Sequence, residues 1–334
     1  MNKYEEEYAS GRSNDSIIDS SAMSPTDRDG NPIPVTIPIE LAPGVKVVYT
    51  TRLGGVSVAD WSYCNLGGKG EEDPDLTMRN RIAVSQAIRA DLSLVSQVHS
   101  AVVADMDDLF TPNAPFGCDL SGSGQAEAYR ADAEIIARPH VALGMFAADC
   151  LPVLLADAET GIIAAAHCGR RGLQRGVLEA TVAAMVAKGS EPVNIVATLG
   201  PRICGDCYEV GSKIADDFDA QFPGTFTVTR FSGPGIDIAG AAVQCLMKAG
   251  IPRDNVIDSR PRVTAATQYL SEDEELARLC RRDDEDTPQL SQRLAKMHHP
   301  MCTFENPLWY SHRRAAQANK AHEGRLLALV MREI

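Results

Sequence analysis

Three reactive side chains stand at the ends of apolar runs. His99 follows Ser96-Gln97-Val98, Cys150 follows Ala147-Ala148-Asp149, and His167 closes the run Ile162 to Ala166. Two imidazoles and one thiolate form a ligand set for Zn2+ that leaves a fourth position for water or substrate, as a catalytic centre requires. The same set also suits Cys–His nucleophilic catalysis, in which an imidazole activates the thiol. Spacings this long do not decide between the two. Each residue alone has a plainer use, the Cys as a small hydrophobe and the His as a hydrogen-bond partner.

Positioning these groups calls for strands that end together. Val141 to Phe146, Leu151 to Ala156 and Ile162 to Ala166 are short, continuous apolar runs, and Asp157-Ala158-Glu159-Thr160-Gly161 between the last two has turn composition. They read as buried strands. The spacing of Leu173, Val177, Ala180, Val182 and Val186 predicts a helix after His167-Cys168-Gly169-Arg170-Arg171-Gly172, so His167 falls at a strand-to-helix junction. Unpaired N–H groups, two arginines and two glycines make that junction a candidate anion pocket.

Earlier, Val35 to Ile39 and Val45 to Thr51 predict strands around a Pro-Gly turn, and Leu76 to Ala90 predicts a helix with Pro74 near its start. Later, Val193 to Leu199 reads as a strand. Helices are expected after Gly211 through Phe218 and from Ile238 to Ala249, the latter capped by Asp237 and stopped by Gly250. Alternating strands and helices imply an α/β or α+β core of mixed β-sheets flanked by helices. Residues 1–33, polar and poor in large apolar groups, read as a disordered tail, with a single domain over 34–334. A charged surface insertion is expected at about 260–300.

Composition narrows the classes. The chain has 334 residues, a net charge of -13 and nine cysteines. The acidic balance argues against a phosphate-backbone partner, since counterion release requires a positive face. An odd, scattered cysteine count argues against a disulfide scaffold. No run approaches the roughly 18 apolar residues of a spanning helix, and the start lacks a signal-peptide build, so a cytoplasmic protein without a membrane partner is expected. Cys204-Gly205-Asp206-Cys207 has dithiol spacing but no second pair after it, and His298-His299 reads as solvated.

Longer phrases then carry a resemblance. Thr51-Arg52-Leu53-Gly54-Gly55-Val56-Ser57, Asn65-Leu66-Gly67, Asn80-Arg81, Gln97-Val98-His99, Ala148-Asp149-Cys150-Leu151-Pro152-Val153 and His167-Cys168-Gly169-Arg170-Arg171-Gly172 occur in this order. Gly200-Pro201, Cys207-Tyr208-Glu209-Val210-Gly211 and Cys302-Thr303-Phe304 follow. From about Val45 onward the chain resembles the YfiH or laccase-domain family, long labelled multicopper polyphenol oxidoreductases and now regarded as purine nucleoside phosphorylases with adenosine deaminase activity.

The resemblance implies a CNF/YfiH-like layered sandwich and a zinc site at His99, Cys150 and His167, with zinc favoured over copper. It implies Arg52, Asn65, Gln97, Arg171 and Arg314 as substrate or phosphate contacts. Arginine suits that role because its planar fork can hold phosphate oxygens in pairs. The expected partners are a purine nucleoside (adenosine, inosine or methylthioadenosine) and phosphate, on a monomer or homodimer. Two departures stand out: the aromatic residue that usually follows the second His and its small residues is Arg170 here, and the acidic residue after the C-terminal arginine is Ala315. A Cys-dependent hydrolase acting in peptidoglycan editing keeps the same residues with Cys150 as nucleophile. A copper polyphenol oxidase, or laccase, would need more histidines than this one set.

Overall fold

The structure is a computed structural model that describes residues 17–18, 20, 24–68, 70–110, 129–280 and 297–333. Thirteen strands are present among them: β1 (Thr36–Ala42), β2 (Val45–Thr50), β3 (Asp91–Leu94), β4 (Val103–Asp105), β5 (Ala133–Ile136), β6 (Val141–Ala147), β7 (Leu151–Asp157), β8 (Ile162–Cys168), β9 (Val196–Leu199), β10 (Phe226–Val228), β11 (Pro234–Ile236), β12 (Val256–Ile257) and β13 (Leu326–Arg332). One sheet has the order β1-β2-β13-β6-β3 and a second β12-β9-β7-β8-β5-β4, with β10 and β11 as a separate hairpin. Both large sheets are mixed. β3 runs parallel to β6 and β4 parallel to β5, while β6–β13 and β7–β8 are antiparallel.

The sheets pack face to face, and the expected layered α+β architecture is what forms. Leu143, Met145, Val47, Ala328 and Val330 of the first sheet meet Leu154, Ala156, Ile163 and Ala165 of the second. The outer face of the second sheet is covered by helices Val177–Ala187, Ser212–Gln221 and Ile238–Lys248 through Leu178, Val182, Phe218, Ala242 and Cys245. Helix Pro74–Ile88 covers the outer face of the first through Val84. Because β6, β7 and β8 are covered on both faces, every residue of each is buried. Unbroken apolar runs in place of alternation follow from that.

Several local expectations shift. The helix foreseen after His167 is two helices, Arg170–Gln174 and Val177–Ala187, broken where Gly176 takes φ 81°. A five-residue first helix has little dipole, so the charge at that junction comes from side chains. Helices Arg260–Ala266 and Glu274–Cys280 bury Val263, Ala266, Leu276 and Cys280 in the inter-sheet core. The first part of the expected surface insertion therefore supplies core, and 281–296 lie outside the described residues. Within the expected tail, residues 1–16 also lie outside them. Residues 24–33 fold into a turn in which the Asp27 carboxylate accepts from Asn31, with an antiparallel bridge Thr26–Pro32, and Ile18 is buried.

One polar link crosses the two sheets. The fully buried Glu134 of β5 accepts a short hydrogen bond from the Ser93 hydroxyl of β3, and its second oxygen has no partner. Burial pushes its carboxyl up to about 8 from an ordinary 4.5. Between those pH values the unfolded chain gives up a proton that the folded chain keeps. The group's stabilising contribution is thus complete below about 4.5 and falls as pH rises to about 8. Glu134→Gln keeps the shape without the charge. In denaturant titrations we expect its stability relative to wild type to improve from pH 5 to pH 8, by on the order of a few kcal/mol. An unchanged difference would place the carboxyl's ionisation elsewhere.

Candidate active site

The chain crosses from one sheet to the other where β6 ends and β7 begins, and Cys150 sits on that crossing. His167 lies near the end of β8, paired across the ladder with Pro152 of β7. His99 follows β3. These three brought-together residues place their ligand atoms within 4.8 Å of one another. Cys150 Sγ is 3.8 Å from His99 Nε2, and the two imidazole centroids are 4.8 Å apart. Bonds of about 2.3 Å to sulfur and 2.0 Å to nitrogen at a tetrahedral zinc imply an S···N separation of about 3.5 Å. The spacing fits that ion with a small contraction.

The residue that orders this set is Asp132, at the lip of β5. Its fully buried carboxylate accepts from the backbone N–H groups of Val98, His99 and Ser100, from the Ser100 hydroxyl at 2.7 Å, and from His167 Nδ1 at 2.9 Å. A carboxylate acceptor fixes the His167 proton on Nδ1 and leaves Nε2 for the site interior, as in carboxylate–histidine–metal arrangements. The same carboxylate pins the loop that holds His99 at φ 59°, a left-handed conformation that costs a non-glycine residue about 1–3 kcal/mol. Burial favours the neutral form of Asp132, but His167, Ser100 and the N–H groups outweigh it and hold the carboxyl well below its usual value.

Charge is distributed accordingly. Burial opposes ionisation of Cys150, yet His167 and the hydrogen bonds from both imidazoles bring the thiol down to about 6. Burial likewise opposes imidazolium at His167, and Cys150 and Asp132 raise it to about 9. Without a metal the pair is thiolate and imidazolium at neutral pH; a metal would take the place of the shared proton. Gly169 is required here by space, since a Cβ would lie 2.8 Å from Cys150 Sγ and 3.0 Å from the His99 ring.

These groups form one wall of a cavity of about 430 Å3. Val95, Phe146, Tyr208 and Ile238 supply apolar surface, Arg170, Arg313 and Arg325 supply cations, and His312 adds an imidazole. Arg313 lies over the Tyr208 ring at 5.7 Å and donates its backbone N–H to Asp149. Asp149 adopts φ 94° and is tied by the Thr303 hydroxyl at 2.7 Å, which fixes the approach of Cys150. Arg325 and His312 share Glu323, at 2.5 and 3.1 Å. Burial would raise the Glu323 carboxyl, but those two partners lower it to about 2.

The other sequence-derived candidates fall in different places. Gln97 lines the cavity, with its amide closed onto the Phe146 peptide through both its oxygen and its nitrogen. Asn65 lies behind the wall and accepts from the N–H groups of Gly67 and Arg325. Arg52 does not reach the cavity: it is fully buried, donates to the carbonyls of Ser62 and Cys280, and stacks on Tyr310. Arg314 is buried too and donates to the carbonyls of Thr303, Phe304 and Trp309. Arg171 is exposed and outside the lining, while its neighbour Arg170 lines it. Sequence reasoning passed over Asp132, Tyr208, Arg313 and Arg325. The available signals were an acidic residue flanked by alanines in an apolar strand, and Arg313 adjacent to Arg314.

Fold and cavity together define a layered protein with a small-molecule pocket built on a His–Cys–His set. The chain belongs to the multi-copper polyphenol oxidoreductase laccase family, whose model matches residues 46–275. It is 39% identical over 206 residues to the purine nucleoside phosphorylase ORF3 of Streptomyces griseus, covering 61% of this chain and 79% of that one. It is 37% identical over 230 residues to the purine nucleoside phosphorylase Rv2149c of Mycobacterium tuberculosis, covering 68% and 85%. The crystal structure of Neisseria meningitidis protein NMB0706 superposes with a TM-score of 0.64 at 27% identity, covering 90% of this chain and 100% of that one. Bacillus licheniformis YfiH shares the fold, with a TM-score of 0.66 at 22% identity over 92% and 99% of the two chains. No helix among the described residues is long and apolar enough to cross a membrane.

Asp132→Asn tests the ordering role directly. It keeps the size but weakens the acceptor that fixes both histidines, so the affinity of the His99–Cys150–His167 set for added zinc should fall about 10–100-fold. Competition with a chromogenic chelator measures this, and wild-type affinity in the variant would refute the role.

Proposed function

We propose that this chain is a purine nucleoside phosphorylase acting on adenosine and inosine, with adenosine deaminase activity at the same zinc-dependent site. The observation that carries the reading is the cavity itself: apolar and aromatic walls for a base, three arginines for an oxyanion, and the His–Cys–His set between them. In phosphorolysis a phosphate oxygen forms a bond to ribose C1′ while the C–N bond breaks, its electron pair leaving with the base, which takes up a proton. Arg170, Arg313 and Arg325 would bind and orient the phosphate and offset its charge as it attacks. Because the Gln97 amide is engaged by Phe146 and both His99 and His167 would serve the metal, we assign the proton to His312, the lining imidazole outside that set, whose tie to Glu323 raises its pKa. Zinc held by His99, Cys150 and His167 would supply Lewis acidity, the chemistry that addition of water at the purine C6 requires.

A Cys-dependent hydrolase remains the competing reading, because Cys150, His167 and Asp132 also form a thiol–imidazole–carboxylate series. A multicopper oxidase is disfavoured by donor type. Among the described residues only the His99–Cys150–His167 grouping contains imidazoles.

Product analysis separates the readings. With adenosine or inosine, the purified protein should release free base and ribose 1-phosphate only when phosphate is present, and Cys150→Ala should lose at least about 100-fold in kcat/KM, the scale of losing a principal site group. Arg313→Ala should raise the KM for phosphate more than that for nucleoside. Base release without phosphate, or no turnover of either nucleoside, would sink the phosphorylase reading.

A further inference from the structure

A second constellation lies behind the cavity wall. Cys204 and Cys207 sit on a tight turn closed by the Cys207 and Tyr208 N–H groups on the Cys204 carbonyl, at 3.0 and 2.9 Å. Cys302, nearly a hundred residues later, is brought alongside by a parallel bridge to Arg202. Between them lies Glu305, whose side chain is fully buried. The ligand atoms of these four residues lie within 4.8 Å of one another.

We propose that Cys204, Cys207, Cys302 and Glu305 form a structural zinc site, distinct from the His–Cys–His set. The distances match the ion. Both Cys204 Sγ and Cys207 Sγ are 3.4 Å from Glu305 Oε1. Bonds of about 2.3 Å to sulfur and 2.0 Å to oxygen at a tetrahedral zinc imply an S···O separation of about 3.5 Å. Outer contacts orient the ligands. The Cys204 N–H points at Cys302 Sγ at 3.3 Å, a donor that favours thiolate. The N–H groups of His298 and His299 hold Glu305 Oε2, leaving Oε1 toward the sulfurs, and the Arg230 guanidinium lies 3.2 Å from Oε1. Such support around a ligand set is characteristic of metal sites.

Four protein donors close the coordination, which is structural rather than catalytic geometry. Cys204 and Cys302 also border a separate cavity of about 460 Å3, which offers an ion a way in. A disulfide would use two sulfurs and strand the third beside a buried carboxylate. The site's work is to fasten the segment after 297 to the loop that carries Tyr208. Thr303, next to Cys302, holds Asp149, and Ile203, next to Cys204, donates to the Asp149 carbonyl. Zinc here would set the wall of the cavity without touching its contents.

The test uses the full-length Cys150→Ala variant, which has no thiolate left in the first site, loaded with zinc or cobalt(II). We expect about one tightly held zinc per chain, a thiolate-to-cobalt charge-transfer band, and a melting temperature that drops on chelation. Adding Cys204→Ser should weaken the band, since one of its three sulfur donors is lost. If that double variant does not fold, the metal content and cobalt spectrum of Cys150→Ala decide alone. A folded Cys150→Ala protein that retains no zinc and shows no such band would overturn the site, as would a disulfide among the three cysteines by intact mass in freshly purified protein. Neither result depends on nucleoside turnover.

Discussion

The hydrogen-bond fan around the buried Asp132 carboxylate is the constraint from which the geometry of the site follows. One side chain fixes the loop that carries His99 and the orientation of His167, so two imidazoles from distant strands answer to a single acceptor. A buried carboxylate is costly unless its lone pairs are filled, and here three N–H groups, a hydroxyl and an imidazole fill them. The left-handed conformation of His99 persists because the same fan over-determines it. Removing the acceptor would release that strain and the alignment together.

The two-sheet sandwich gives this fan its setting. β6 belongs to one sheet and β7 to the other, so the three residues between them must cross the interlayer space, and Cys150 is the last of them. β8 returns beside β7 and delivers His167 to the same end. Asp149 takes its unusual φ at the crossing and is held from the far side by Thr303 and the Arg313 N–H. The C-terminal segment thereby reaches the site through backbone and hydroxyl contacts before any of its cations face the cavity.

Much of this was legible in the sequence. The unbroken apolar runs at β6, β7 and β8 announced strands buried on both faces, and the Asp157–Gly161 turn composition announced the hairpin. His99, Cys150 and His167 stood out by type and by position at run ends. What the sequence hid was side-chain direction. Arg314 and Arg313 are equally cationic neighbours, but helical geometry turns one onto the carbonyls of Thr303, Phe304 and Trp309 and the other over Tyr208. Arg52 reads as a ligand contact until its carbonyl partners appear. The 260–280 segment looked like surface because its charges outnumber the few apolar residues that it buries, and Glu134 and Asp132 were hidden because burial and partners, not type, make a carboxyl unusual.

Arg170 shows how far a single replacement can reach. An aromatic residue there would offer a flat face to a base; a guanidinium offers donors and charge. With Arg313 and Arg325 it gives the cavity three arginines, while the aromatic surface is left to Phe146 and Tyr208. Both rings carry a guanidinium over one face, Phe146 that of Arg81 at 5.3 Å and Tyr208 that of Arg313 at 5.7 Å. Cation–π bracing of this kind contributes about 0.5–2 kcal/mol per pair and restricts the ring. The electrostatic character of the cavity is therefore set by its guanidinium groups, and its flat apolar surface by two rings whose freedom is already limited.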